Sequence, residues 1–345
     1  MLPWAFFLID HMFSPIGILH CFCDQGKKYR SKPSFRQPPL YSQIGIATPR
    51  IVFYYRCRYI PKAPSGIGPE YQSQTGGQMN KQFSLTLFST QPAFIREATA
   101  AGIDEVIVDW ECHGKELRQI SADTEINRDT VDDLRRVRAS TTARVICRIN
   151  PYGETTPAEI EDAIDAGADE ILVPMIRKAE EVSGILGMVR GRCGGGILVE
   201  TVDAVGSVDE LARLPLSRVY VGLNDLAIER NTPNIFTAVA DGTLDRIRRP
   251  FRVPFGFGGL TLPDRGDPVP CRLLIGELAR LDCSFSFLRR SFYRDIRGGE
   301  LSREVPRIRA ALEEAFQRTP GEKNRDREEL VEVIGRWKEP REQPR

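Results

Sequence analysis

Two acidic residues stand at the ends of two consecutive apolar runs. Glu200 closes Ile197–Glu200, and Asp225 follows Val219–Leu223. A single acid in such a place is commonly an N-cap for the next helix. Two acids at the ends of neighbouring strands would repel each other at close range. A hard divalent cation, Mg²⁺ or Mn²⁺, resolves that repulsion with few protein oxygens and keeps positions open for water and substrate. Glu200 and Asp225 are therefore the expected metal ligands. Arg148 ends another apolar run and offers a planar cation, suited to bind a carboxylate or to stabilise an enolate oxygen. An ion pair of Arg148 with Asp109 or Glu111 is compatible with that role. A further run ends in Asp109-Trp-Glu111-Cys-His113, so Glu111 and His113 are candidate general bases. Asp109 and Asn224, with Arg148, are candidate substrate contacts.

These residues need a scaffold that gathers strand ends. From Ser84 onward, short apolar runs alternate with amphipathic stretches. Strands are predicted at 84–88, 106–110, 145–149, 171–176, 197–200, 219–223, 255–259 and 285–288. Helices are predicted at 92–101, 131–138, 156–167, 179–190, 207–214, 235–248, 271–281 and 303–318. Thr156-Pro-Ala-Glu159 and Ser207-Val-Asp-Glu210 read as helix-capping boxes. Strands that are near-continuous apolar runs are buried on both faces, as in a parallel sheet. Eight βα units over residues 79–318 predict an α/β fold of the (β/α)8 TIM-barrel type, whose working residues lie at the C-terminal strand ends. A doubly wound open sheet is the runner-up, disfavoured because no glycine-rich phosphate turn follows the first strand.

The flanks differ in character. Residues 1–78 show no sustained period and are expected to be an irregular extension or the product of a mis-assigned start, with Met79 the natural one. Residues 319–345 are a charged tail with one helical pattern at 328–337. The net charge is only +1 over 345 residues, which argues against a broad nucleic-acid surface. No stretch is long enough to span a bilayer and no basic leader precedes an apolar core, so a cytoplasmic, non-membrane protein is expected. The eight cysteines are too few for a disulfide scaffold and are expected to be reduced.

The motifs also carry a resemblance. Val-Glu-Thr-Val-Asp-Ala-Val (199–205), Val-Asp-Glu-Leu (208–211), Val-Gly-Leu-Asn-Asp-Leu (221–226), Ile-Asp-Ala-Gly-Ala-Asp-Glu-Ile-Leu-Val-Pro-Met (164–175) and Arg-Ile-Asn-Pro (148–151) resemble the HpcH/HpaI aldolase and citrate lyase family. The resemblance implies a phosphoenolpyruvate/pyruvate-type barrel that binds a 2-oxo acid on a metal held by Glu200 and Asp225, with Arg148 as the substrate arginine. It implies a class II aldolase that cleaves or forms a small hydroxy-oxo acid through a pyruvate enolate, and assembly into a homo-oligomer. An acyl-CoA lyase of the citrate lyase β type and a barrel without turnover are the alternatives. The chain departs from the aldolases in two places. Their Glu-His pair is here Glu111-Cys112-His113, and their Gln two places before the metal-binding Glu is here Leu198. No lysine ends a barrel strand, which disfavours Schiff-base chemistry.

Overall fold

The computed structural model describes residues 83–114, 129–296 and 300–336. The expectations for residues 1–78 and for the end of the tail lie outside them. Nine parallel strands form one sheet: β1 (Ser84–Phe88), β2 (Glu105–Asp109), β3 (Arg144–Arg148), β4 (Glu170–Val173), β5 (Gly194–Val199), β6 (Val219–Val221), β7 (Phe255–Phe257), β8 (Gly259–Leu260) and β9 (Phe285–Leu288). Strands β1 to β6 pair in sequence order, β7 pairs with β6, and β9 pairs with both β1 and β8. The two last-formed edges belong to one stretch of chain. Gly258, at φ +66°, kinks a single barrel strand into β7 and β8, so the chain itself closes a ring of eight strand positions. The Ser284 N–H, just before β9, also bonds the Phe255 carbonyl at 2.8 Å across the seam. This is a TIM barrel and excludes the open sheet.

The two-residue period of a strand explains the interior. Inward positions read Glu105, Ile107, Asp109 on β2 and Arg144, Ile146, Arg148 on β3. They continue as Glu170, Leu172 on β4; Leu198, Glu200 on β5; Arg218, Tyr220, Gly222 on β6; and Phe285, Phe287, Arg289 on β9. The middle members, with Phe88, form one apolar cluster. It separates a charged layer at each end of the barrel.

The lower layer is a buried ion network. Arg218 donates to both Glu105 oxygens at 2.6 and 2.7 Å, reaches Glu170 at 2.8 Å and stacks 4.6 Å above the Phe285 ring. Truncating it would leave the Glu105 carboxylate in the core without its ion-pair partner, while Glu170 keeps Arg144 at 3.0 Å. Arg218→Met is expected to cost about 3–5 kcal/mol in a urea melt. Desolvation alone would raise the Glu105 pKa, but Arg218 outweighs it and holds the group below its ordinary 4.5. Its stabilisation is therefore complete above pH 4.5 and is lost as the pH falls through the lower folded-state value. Glu105→Gln should flatten that acid limb.

The helices match the predicted segments with four corrections. Glu159 does not cap its own helix; it accepts from Asn150 instead, as described below. Ser207 makes no side-chain cap, and its hydroxyl donates to the Asp203 carbonyl. The stretch 235–248 is two short helices, Thr237–Ala240 and Thr243–Arg248, separated at Gly242, φ +82°. The tail helix begins eight residues before its pattern and spans Pro320–Arg336. Thr319 and Glu322 cap it reciprocally, and Leu330 and Ile334 are buried in the same core as the rest of the chain. Ile308 and Leu312, on the apolar face of the helix Leu301–Gln317, are likewise buried in the chain's own core. No helix among the described residues is long and apolar enough to cross a membrane. Cys112, Cys147, Cys193, Cys271 and Cys283 are free thiols.

Candidate active site

The inward parity puts Phe88, Asp109, Arg148, Glu200, Gly222 and Arg289 in the uppermost layer. They line one cavity of about 710 Å³ at the C-terminal mouth, together with Asn224, Asp225 and Asp129. Tyr220 and Phe287, stacked 3.7 Å apart, and Leu198 form its apolar floor. The cavity wall among the described residues contains no lysine.

Glu200 is 2% exposed. Its Oε1 accepts the Met175 N–H at 2.9 Å. Met175 delivers that N–H from a left-handed backbone, φ 54°, a conformation that costs about 1–3 kcal/mol and persists only where its surroundings enforce it. The other oxygen, Oε2, lies against Gly222. A Cβ there would sit 2.1 Å from it, so position 222 must be glycine for the carboxylate to occupy its place. Asp225 lies in the first turn of the helix Leu223–Glu229 and lines the same cavity. Burial, then the negative charges of Asp225 and Glu111, push the Glu200 pKa well above the usual carboxylate range.

Among the described residues, no group of three or more His, Cys, Asp or Glu side chains is arranged to hold a metal ion. What the site offers is a pair. Two carboxylates share one cavity, with no soft ligand beside them and with charge that burial leaves poorly compensated. That donor set fits a hard divalent cation that keeps most of its waters.

Arg148 is held from two sides. Its Nε and Nη2 donate to the two Asp109 oxygens at 2.8 and 2.7 Å, and its Nη1 lies 3.4 Å from Glu111 Oε2. The guanidinium carbon lies 5.3 Å from the Phe88 ring centroid. Desolvation works against its charge, but the two carboxylates more than offset that and raise its pKa. The ion pair and the cavity-facing position thus coexist. Asp109, fully buried, also accepts the Glu111 N–H at 3.2 Å.

The structure brings together Asp109, Arg148, Glu200, Asn224 and Asp225. It does not place Glu111 or His113 on the cavity wall. Glu111 is buried behind Arg148, and His113 lines a neighbouring depression with Tyr152, Met175 and Arg177. Two residues absent from the expected set matter here. Asp129 lines the cavity and accepts the Asp109 N–H at 2.9 Å, and burial raises its pKa. Asn150 receives the Cys112 and His113 N–H groups on its Oδ1, both at 2.9 Å, while its own N–H groups go to Glu159 at 2.9 and 3.0 Å. Asn150 therefore ties the segment after β2 to the helix after β3. Asn150→Ala is expected to cost about 1–3 kcal/mol and to speed amide exchange at Cys112 and His113 selectively.

A model of the HpcH/HpaI aldolase/citrate lyase family matches residues 82–234. That match spans the first six strands of the barrel. The hydroxypyruvate/pyruvate aldolase of Agrobacterium fabrum (strain C58) is 28% identical over 204 residues, 53% of this chain and 71% of that protein. An HpcH/HpaI aldolase from Desulfitobacterium hafniense DCB-2 superposes with a TM-score of 0.49 at 14% identity, covering 63% of this chain and 91% of the other. The citrate synthase SbnG gives 0.48 at 18%, covering 64% and 92%. The family match and the aldolase relative support a carbon–carbon lyase. The family match contains Asp109, Arg148, Glu200 and Asp225. It ends before β7, so Arg289 lies beyond it.

Proposed function

We propose that this HpcH/HpaI barrel is a divalent-metal-dependent carbon–carbon lyase that cleaves or forms a small hydroxy-2-oxo acid and retains a pyruvate-like half in the cavity. The observation that carries this reading is the buried Glu200 carboxylate, set against Gly222 and sharing its cavity with Asp225 and Arg148. The relative from Agrobacterium fabrum, an aldolase of hydroxypyruvate and pyruvate by name, supports the substrate class. Glu200 and Asp225 would hold Mg²⁺ or Mn²⁺, which when bound supplies Lewis-acid polarisation of the 2-oxo group.

The rest is done by side chains. Arg148, fixed by Asp109 and Glu111, faces the charge that develops on the oxo oxygen as the carbon–carbon bond breaks. Asp109 and Asn224 border the same space and orient the substrate. Tyr220, Phe287 and Leu198 keep water from the floor and lower the local dielectric, which strengthens the Arg148 interaction. Asp129, a wall carboxylate with raised proton affinity, holds the proton that leaves the substrate hydroxyl.

Pyruvate release from 4-hydroxy-2-oxo acids tests the reading. Activity is expected to require Mg²⁺ or Mn²⁺, to vanish with a chelator and to return on adding back the ion. Turnover that ignores the chelator would overturn it.

A further inference from the structure

Arg289 is the other cation of the uppermost layer, and its situation is opposite to that of Arg148. It is the inward residue directly after β9 and lines the same cavity. Its Nε is buried with no hydrogen-bond partner, and no carboxylate among the described residues lies within 4.0 Å of its guanidinium. Asp295 and Asp267 are near enough to be felt electrostatically, but Asp295 is engaged by the Thr261 hydroxyl at 2.5 Å. Burial holds the Arg289 pKa below its ordinary value. A half-buried guanidinium with no carboxylate partner is costly unless something compensates it.

The side chain is also positioned. A Cβ at Gly259 would come within 2.8 Å of Arg289 Cβ, and one at Gly266 within 3.1 Å of its Nη2. Two glycines thus leave a track for it. Its place in the ring matters most. With the split strand counted once, β9 stands opposite β4, while Arg148 and Glu200, on β3 and β5, flank β4. The cavity therefore has an oxo-acid pole on one wall and an unpaired guanidinium on the far wall.

We propose that Arg289 is a specificity-determining residue that binds a second anionic group, a carboxylate or a phosphate, at the end of the substrate half remote from the pyruvate-like half. The assignment to a substrate half rests on the lyase reading above; the anion site itself does not. A guanidinium fork presents paired donors to either oxyanion, and Arg289 lines the cavity from which an anion would approach.

Two measurements on the full-length protein test it. The first needs no turnover: calorimetric titration with succinate and with inorganic phosphate. Arg289→Gln is expected to weaken binding of at least one of them by about 10- to 100-fold, the range of a charge-assisted bond, and Arg289→Lys to recover part of the loss. The second compares matched acceptors in metal-supported addition of pyruvate: 4-oxobutanoate against butanal, and glyceraldehyde 3-phosphate against glyceraldehyde. Arg289→Gln should lower kcat/KM about 10- to 100-fold for the anionic member of one pair and leave its neutral partner within about twofold. Whichever pair responds identifies carboxylate or phosphate. Equal losses on anionic and neutral acceptors, or anion binding unchanged in Arg289→Gln, would overturn the proposal. Arg289-dependent anion binding with no pyruvate consumed on any acceptor would keep the anion site and reject the lyase reading.

Discussion

Glu200→Gln is expected to lower kcat for pyruvate release by about three orders of magnitude while the barrel stays folded and, without metal, gains thermal stability at neutral pH. The two effects have one cause. Glu200 is almost wholly buried, and burial together with the Asp225 and Glu111 charges favours its protonated form. Because its folded pKa is raised, its contribution to stability is present at low pH and lost as the pH rises through that value. At neutral pH the metal-free fold is therefore penalised relative to the unfolded chain, in which this carboxyl ionises freely. Glutamine keeps the oxygen that accepts the Met175 N–H and its volume suits the slot beside Gly222, but it carries no charge to hold a cation. The loss of a preorganised charge at the reacting centre is typically worth about 10²–10³ in kcat. Thermal melts make the check independent of activity. In a chelator the variant should melt above the wild type; with Mg²⁺ or Mn²⁺ the wild type should shift upward and the variant should not. A variant that melts lower in both conditions would mean that Glu200 is structural.

Much of this site was legible in the sequence because a barrel converts a one-dimensional rule into a place. A charged residue at or shortly after the end of an apolar strand sits at the mouth, and Glu200, Asp225, Asp109 and Arg148 all follow that rule. Strand positions agreed to within a few residues for the same reason: buried parallel strands are short apolar runs. What was not legible depends on register between distant segments. Asp129 reaches the cavity through the Asp109 backbone twenty residues away, and no local pattern marks it. The Thr156–Glu159 spacing has the form of a capping box, yet Glu159 is taken by Asn150, whose buried amide outcompetes a solvent-exposed cap. Gly222 reads as an ordinary loop glycine until the Glu200 carboxylate is seen in the space its side chain would fill. His113 has the chemistry of a base, but the tie of its N–H to Asn150 accompanies a side chain on the neighbouring depression. Arg289 directly follows an apolar run in the sequence, but only closure of the ring shows which wall it faces.

Arg148→Lys is the second large effect, expected to lower kcat/KM by about 10²–10³ with the fold retained. Alanine would be the wrong probe. Asp109 and Glu111 are 0% and 1% exposed, and removing the guanidinium would strip both buried carboxylates of this ion pair, a loss of about 3–5 kcal/mol that could unfold the barrel. Lysine keeps the positive charge between them and isolates geometry. The guanidinium uses Nε and Nη2 to grip both oxygens of Asp109 and turns a third nitrogen toward Glu111. A single ammonium cannot hold that fork while facing the cavity, so it will pair with Asp109 and withdraw from the substrate. If Arg148 acts on charge that appears as the carbon–carbon bond breaks, the loss falls on kcat, with KM for the oxo acid changed less. A KM-only defect would instead assign Arg148 to ground-state binding of the substrate carboxylate. Steady-state kinetics separate the two, and a lysine variant within about threefold of wild type on both parameters would remove Arg148 from the reaction altogether.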